Sequence, residues 1–205
     1  RGITFYTNEM FVLLDGKPVK IEKPDSANAS LHREWLLLDL RDDWTTGGAS
    51  YGAGTLLACK LDAFLAGERT FDVLFAPTER SSLAGFSPTQ NHVLMNVLDN
   101  VRNRISVLTH TDGKWQSEPL PGLPEFGTIS ASAIDDETCD DYWLTITDYL
   151  TPTSLYLGTI GPTSNSQPPL RKLKSLPSFF DASGLQVEQR EAISKDGTRI
   201  PYFLV

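Results

Sequence analysis

The sequence feature that most constrains the fold is a pair of short apolar runs joined by a tight turn. It is clearest in residues 141–160, DYWLTITDYLTPTSLYLGTI, where both runs are rich in β-branched and aromatic residues. Runs of about six or seven residues with this composition are typical of β-strands and are too short for ordinary helices. The stretch therefore predicts a β-hairpin.

The same pattern occurs twice upstream. Residues 92–110 read HVLMNVLDNVRNRISVLTH, and before them EWLLLDLRDDW is followed by a glycine-rich loop and GTLLACKL. The leading runs begin at Trp35, His92 and Tyr142, which are 57 and 50 positions apart. Spacings of this order fit β-propeller blades of roughly 40 to 50 residues that carry loop insertions.

Further strands complete the repeat. MFVLL, Asp15-Gly16 and KPVKI predict the outer half of one blade, followed by a polar connector at 24–30. The next unit has strands at 34–43 and 55–61, a glycine-rich loop at 44–54, one helical turn in LDAFLAGER and a strand in TFDVLFAP. Two more units have four strands each, the last with a Pro/Ser/Asn/Gly loop before RKLKSLPS. A small sheet has two apolar faces, and stacked neighbours cover them.

The pattern changes after Phe179. FDASGLQVEQREAISKDGTRIPYFLV predicts a loop and a hairpin that breaks the repeat spacing, so we place a domain boundary near Asp181. The predicted domains are a partial propeller at 1–180 and a linker with an opening hairpin at 181–205.

Composition narrows the classes of partner. A net charge of −8 and 40% hydrophobic residues predict a globular protein whose surface repels nucleic acid and anionic lipid. The sequence has no apolar run of the roughly 20 residues that a membrane span needs. Its first residue is Arg, so we expect a portion of a longer chain, from the cytoplasm or the periplasm. Cys59 and Cys139 match no zinc or redox spacing and are predicted to be reduced.

The final segment, FFDASGLQVEQREAISKDGTRIPYFLV, resembles the junction between propeller and α/β-hydrolase domain in the prolyl oligopeptidase family of serine peptidases. HREWLLLDLRDDWTTGG, DAFLAGERTFDVLFAPT, SLAGFSPTQNHVLMNVLDNVRNRISVLT and DDYWLTITDYLTPTSLYLGTI are similar to later blades of bacterial members. The resemblance covers essentially all 205 residues. It implies an all-β fold: about three and a half four-stranded blades of a seven-bladed β-propeller, ending in a hairpin that leads into a hydrolase domain absent from this chain.

The resemblance also implies a function. The parent protein would cleave short peptides after proline with a Ser-Asp-His triad, and the propeller would gate access to it. The family's nucleophile sits in a GxSxG elbow, which Gly85-Phe86-Ser87-Pro88 does not complete. We therefore expect no catalytic residue, no metal and no cofactor in this chain, and no activity of the chain alone. The expected partners are its own hydrolase domain and a proline-containing peptide.

Other residues suggest chemistry but have structural explanations. Ser87, His92 and Asp99 have the side chains of a Ser-His-Asp catalytic triad. Such a triad is defined by oriented hydrogen bonds and not by closeness in sequence, so we expect these residues to be ordinary strand residues. An acidic run lacks the alternation and central glycine of an EF-hand, and is predicted to be a solvated connector; it comprises Asp135, Asp136, Glu137, Asp140 and Asp141. His32 and His110 are predicted to be polar residues at strand ends, and Trp35, Trp115 and Trp143 are predicted to pack in the core between blades.

Loops that follow equivalent strands carry the candidate functional residues. These are Arg41, Asp42, Asn100, Arg102, Asp148 and Tyr149. Equivalent loops of a repeat lie on one face, which either meets the hydrolase domain and its substrate chamber or is an ordinary solvated surface.

Two rival functions remain open at this stage. One is a stand-alone propeller-like scaffold that binds proteins, which would have no evident use for the terminal hairpin. The other is a small α/β nucleotide binder built on Gly47, Gly48, Gly52 and Gly54, although a dinucleotide motif needs its glycines directly between a strand and a helix.

An incomplete propeller leaves sheet faces and strand edges uncovered, so we predict that this 205-residue chain self-associates. Light scattering should give the mass of a dimer or a larger oligomer. A monomeric mass across the micromolar range would contradict the prediction.

Overall fold

A computed structural model of the chain describes residues 1–161 and 170–205, which form antiparallel β-sheets and one short helix. The described residues divide into two compact units, Arg1–Leu83 and Ala84–Val205. Most of the Pro/Ser/Asn/Gly loop predicted before RKLKSLPS, residues 162–169, lies outside the described residues. Within the described ranges, no helix has the length and apolar character of a membrane span.

The first unit contains a two-stranded sheet, a four-stranded sheet and a small hairpin. Its elements are β1 (Met10–Leu14), β2 (Lys17–Ile21), β3 (Asn28–His32), β4 (Trp35–Asp39), β5 (Trp44–Thr46), β6 (Ala49–Tyr51), β7 (Leu56–Lys60), α1 (Leu61–Leu65) and β8 (Asp72–Phe75). The larger sheet has the order β3-β4-β7-β8, and β1 forms a two-stranded sheet with β2. This matches the predicted half blade followed by a four-stranded blade.

Two predictions in this unit are wrong in detail. The connector predicted at 24–30 is shorter, because β3 already begins at Asn28. The turn after β3 passes through Arg33, whose φ of 53° is unusual for a residue other than glycine, so no common turn residue marks it. The loop predicted at 44–54 contains the β5–β6 hairpin, whose turn residues are Gly47 and Gly48.

The second unit contains two four-stranded sheets and a terminal hairpin. Its elements are β9 (Ser81–Pro88), β10 (Val93–Asp99), β11 (Arg102–Thr111), β12 (Lys114–Pro119), β13 (Thr128–Ala133), β14 (Asp141–Thr147), β15 (Ser154–Thr159), β16 (Arg171–Ser175), β17 (Glu188–Ile193) and β18 (Arg199–Leu204). The sheet orders are β12-β11-β10-β9 and β13-β14-β15-β16, and β17 pairs with β18. The predicted hairpins are all confirmed.

Each unit has its own hydrophobic core between neighbouring sheets. In the first unit, Val12 and Ile21 of the half blade belong to the same cluster as Leu36 and Leu57 of the next sheet. In the second, Leu94 of β10 belongs to one cluster with Leu144 of β14. Burying one such leucine stabilises the fold by roughly 1.5–3 kcal/mol, so the joined sheets stabilise one another.

A glycine allows one especially close contact in the second core. Gly158 of β15 lies opposite the buried Tyr142 of β14. A Cβ atom on Gly158 would lie only 2.3 Å from the Tyr142 ring. The aromatic ring therefore occupies the space that any larger residue at position 158 would need.

We predict that Gly158→Ala lowers the free energy of unfolding by about 2 kcal/mol, because the added methyl group overpacks the site against a fully buried ring. Urea unfolding followed by circular dichroism measures the change. Gly52→Ala is the matched control, since its nearest neighbour would lie 3.8 Å away. Equal stability of the two variants would contradict the contact between Gly158 and Tyr142.

Candidate functional site

The turns after β10 and β14 lie at the same end of the second unit. Val101 of the first turn and Tyr149 of the second line one cavity of about 480 Å³. Between them is the segment that leads into β13, including Gly127. We call residues 98–103, 125–128 and 147–151 the loop end of the second unit.

The terminal hairpin lies against this loop end. Phe203 of β18 lines the cavity, and its ring centroid is 5.3 Å from that of Tyr149 and 5.8 Å from that of Phe126. Aromatic pairs at these separations stabilise a contact beyond the area that they bury. The Phe203 ring therefore joins the hairpin to two of the three loop segments.

Arg102 makes the main polar contacts between the loop end and the hairpin. Its Nη1 donates a hydrogen bond to Glu125 Oε1 over 2.8 Å, and its Nε donates to Gln189 Oε1. Its guanidinium group stacks on the Phe126 ring, with Cζ 4.6 Å from the ring centroid. Gln189 in turn donates from Nε2 to the Asn100 carbonyl oxygen over 2.9 Å. Arg102 thus contacts both the loop end and the terminal hairpin.

The turn after β14 is shaped by its own aspartate. Asp148 Oδ1 accepts hydrogen bonds from the backbone N–H groups of Leu150 and Thr151, over 2.7 and 2.6 Å. Such side-chain to backbone bonds are typical of turns that begin with aspartate. Gly127, with a φ of 125°, approaches so closely that a Cβ there would lie 2.6 Å from the Thr147 carbonyl oxygen. The position of Asp148 is therefore fixed by the backbone around it.

The polar groups beneath the loop end bind one another. Asn103 Nδ2 donates to Asn96 Oδ1 over 3.1 Å, and Asn103 Oδ1 accepts from the Ile129 backbone N–H over 3.1 Å. Asn96 Nδ2 donates to the Ile129 carbonyl oxygen over 3.1 Å. The two bonds to Ile129 link the β10–β11 hairpin to β13 of the next sheet, and the bond between Asn103 and Asn96 joins the two strands of that hairpin.

The opposite end of the two sheets has a second polar contact. The Asp140 carboxylate accepts hydrogen bonds from the Thr89 hydroxyl (2.8 Å), the Asn91 backbone N–H (2.7 Å) and the Asn91 side-chain amide (2.6 Å). Gln90 adds a bond from its backbone N–H to the Cys139 carbonyl oxygen over 2.9 Å. The segment before β10 is thereby joined to the segment before β14.

These contacts change the acidity of two groups. Burial raises the pKa of the Asp140 carboxyl, but the hydrogen bonds from Asn91 and Thr89 outweigh burial and lower that pKa below its ordinary value. Burial lowers the pKa of His92, and the nearby Asp140 carboxylate partly opposes this shift. His92 Nδ1 is 2.7 Å from the Thr109 hydroxyl, so the ring is held in a hydrogen bond inside its sheet.

The structure brings together four of the six candidate loop residues, Asn100, Arg102, Asp148 and Tyr149. Arg41 and Asp42 lie in the first unit, where Arg41 forms an ion pair of 3.3 Å with Asp39. The role of all six at a domain joint stays a prediction, as does the boundary near Asp181.

The rival sites do not form. His92 directly precedes β10 and Asp99 ends it, roughly 20 Å away at about 3.3 Å per strand residue, so they form no triad with Ser87. Asp135 Oδ1 accepts hydrogen bonds from the backbone of its own turn, and among the described residues no three His, Cys, Asp or Glu side chains are placed so that they could hold a metal ion. Gly47 and Gly48 turn a hairpin, and the predominantly β-fold excludes the α/β nucleotide binder.

Sequence reasoning missed Glu125, Phe126, Gln189 and Phe203. Glu125 and Phe126 lie in an irregular segment with no periodic pattern. Gln189 and Phe203 face each other across the hairpin, and the alternation of side chains along β17 and β18 was the available signal that they share a face. Nothing local in the sequence indicated which surface that face would contact.

Two of three comparisons with known proteins match essentially the whole length of this chain. No protein-family model matches the chain. An uncharacterized peptidase of Sinorhizobium fredii is 33% identical over 213 aligned residues, which cover 100% of this chain and 28% of that protein. A post-proline cleaving enzyme from Rickettsia typhi has a structure with a TM-score of 0.75 and 26% identity, covering 97% of this chain and 29% of that one.

A further solved structure shows that the same fold occurs in a protein of much lower sequence identity. Prolyl oligopeptidase B from Galerina marginata matches with a TM-score of 0.67 and 17% identity over 98% of this chain and 28% of its own. The four-stranded sheets are therefore blades of a β-propeller of the type found in peptidases. Over essentially its whole length the chain is similar to proteins named as peptidases and post-proline cleaving enzymes, and it spans under a third of the length of the relatives it matches.

We predict that Asp140→Ala lowers the free energy of unfolding by about 1–2 kcal/mol at neutral pH, because three donors lose a charged acceptor that is partly exposed to water. The pKa of Asp140 is lower in the folded chain than its ordinary value of 3.8, so its stabilisation is complete above that value. It is lost as the pH falls further toward the folded-state pKa.

Urea unfolding of wild type and variant at pH 7 and pH 3 measures both effects. Asp136→Ala removes an exposed carboxylate from the same segment and should change stability by no more than about 0.5 kcal/mol. A stability difference between wild type and Asp140→Ala that does not shrink at pH 3 would contradict the role of the Asp140 charge.

Proposed function

We propose that this chain is the non-catalytic blade portion of a serine peptidase that hydrolyses short peptides after proline. The main support is that the whole chain matches a peptidase at 33% identity. Its structure also matches that of a post-proline cleaving enzyme at 26% identity. A four-stranded-sheet repeat alone would fit propellers of many functions.

The proposed role of the blades is to limit access to the active site. A propeller that covers a hydrolase domain admits only substrates that can reach the chamber between them, which would restrict the enzyme to short peptides. The nucleophile, base and acid would come from the hydrolase domain, because Ser87, His92 and Asp99 form no triad. The chain by itself should have no peptidase activity.

The loop end of the second unit is the surface that we assign to the hydrolase side. The support is topological. β16 runs in the same direction as β14, and Ser175 at its end pairs with Ser154, beside the turn at 148–153. Leu176 continues this contact by donating its backbone N–H to the Thr153 carbonyl oxygen over 3.0 Å. The chain therefore leaves its last blade strand at the loop end.

Arg41 and Asp42 follow the corresponding strand of the first unit, so the same proposal extends to them by the repeat. Arg41 is largely exposed, with 63% of its side chain accessible. An exposed arginine of this kind can pair with an acidic group of the hydrolase domain.

The experiment uses the full-length protein that contains these 205 residues. Two chromogenic peptides that differ only in having proline or alanine before the cleaved bond should give strongly different kcat/KM values, with the proline peptide preferred by at least about a hundredfold. A peptide of some 30 residues with the same proline site should be cleaved far more slowly than a short one.

Equal rates on the proline and alanine peptides would overturn the specificity, and equal rates on short and long peptides would overturn the gating. A native protein that ends near Val205 and cleaves neither peptide would instead support a protein-binding scaffold.

A further inference from the structure

Arg102 is placed differently from the other charged residues of its strand. Its side chain is only 22% exposed, and it contacts three residues in two separate segments: Glu125, Phe126 and Gln189. Arg104, two positions further along β11, is exposed. The two arginines therefore place one half-buried and one exposed guanidinium group on the same strand.

The geometry requires an arginine and not only a positive charge. The guanidinium group donates from Nη1 to Glu125 and from Nε to Gln189, while its Cζ lies over the Phe126 ring. A lysine ammonium is a single charged point and cannot make these contacts together. Glu125 is 63% exposed, so the ion pair with it contributes little, and the bond to Gln189 and the stacking on Phe126 matter more.

The terminal hairpin depends on this contact for its position. Among the strands that the structure describes, β17 and β18 pair only with each other, and an isolated two-stranded hairpin is marginally stable in water. Gln189 and Phe203 are opposite each other on one face, which packs on the loop end. The other face carries the exposed Ile200, Tyr202 and Leu204.

We propose that Arg102 is a positioning residue for the peptidase: it fixes the orientation of the terminal hairpin on the blades, and through the hairpin it sets how readily the hydrolase domain moves away from them. The first part concerns only this chain. The second part rests on the proposed function, because it requires a hydrolase domain that follows the hairpin and is gated by the blades.

The first part is tested by hydrogen exchange in the full-length protein, measured by mass spectrometry on peptides that cover residues 188–204. Arg102→Gln should accelerate exchange of these amides about tenfold, because the hairpin loses its main polar anchor. Gln189→Ala should have a similar effect from the other side of the contact. Arg104→Gln is the matched control, since it removes the same charge from an exposed position of the same strand, and it should leave exchange unchanged.

Arg102→Lys separates charge from geometry. It keeps the positive charge beside Glu125 but loses the simultaneous bond to Gln189 and the placement of the guanidinium group over Phe126. Exchange close to that of Arg102→Gln supports a requirement for the guanidinium group. Exchange equal to that of the wild type would overturn it.

The second part is tested by kinetics with a short proline peptide and one of about 30 residues. Arg102→Gln should raise kcat/KM for the long peptide severalfold relative to the short one, whereas a general loss of folding would lower both. Arg104→Gln should leave this ratio unchanged.

The outcomes distinguish a failure of the proposed function from a failure of the proposed role of Arg102. If the wild-type protein cleaves no proline peptide, the proposed function and the second part fail, while hydrogen exchange still decides the role of Arg102 at the hairpin. If cleavage occurs but Arg102→Gln and Arg104→Gln give the same exchange at 188–204, the proposed role of Arg102 is wrong. If exchange responds and the ratio of long to short peptide does not, control of access by this contact is wrong.

Discussion

The structure depends on the burial of the central strands of its sheets, which in β4 and β7 covers both faces. Leu36, Leu37 and Leu38 are consecutive in β4 and have no exposed surface, although neighbouring side chains of a strand point to opposite sides of the sheet. A four-stranded sheet with two apolar faces is unstable alone, so each blade requires a neighbour. The shared clusters in each unit show how a neighbouring sheet supplies part of that cover.

This packing leaves the polar contacts to the two ends of the strands. At one end of the second unit, Asp140 binds the segment before β10, and at the other, Asn96 and Asn103 bind the start of β13. The sheets are thus joined above and below a hydrophobic middle. The loop end adds an aromatic and cationic surface on this rigid support, which is the arrangement that allows loops to bind a partner reproducibly.

The sequence predicted the hairpins because their signals are local: β-branched runs, Asp-Gly turns and the spacing of leading strands. It did not predict the turn at Arg33, where a residue with no turn preference adopts a left-handed conformation. About half of the residues of the candidate surface could also be predicted, since equivalent loops of a repeat share a face. Gln189, Phe126 and Phe203 could not be predicted, because their contacts join segments up to 89 positions apart and leave no local pattern.

The even number of strands in each blade has a consequence for how such a protein can change in length. An antiparallel sheet of four strands returns the chain to the end from which it started, as β13–β16 do. Whole blades could therefore be gained or lost by duplication or deletion while the following segment stays on the same side. A single extra strand would move that segment to the opposite side, away from Arg102 and Tyr149.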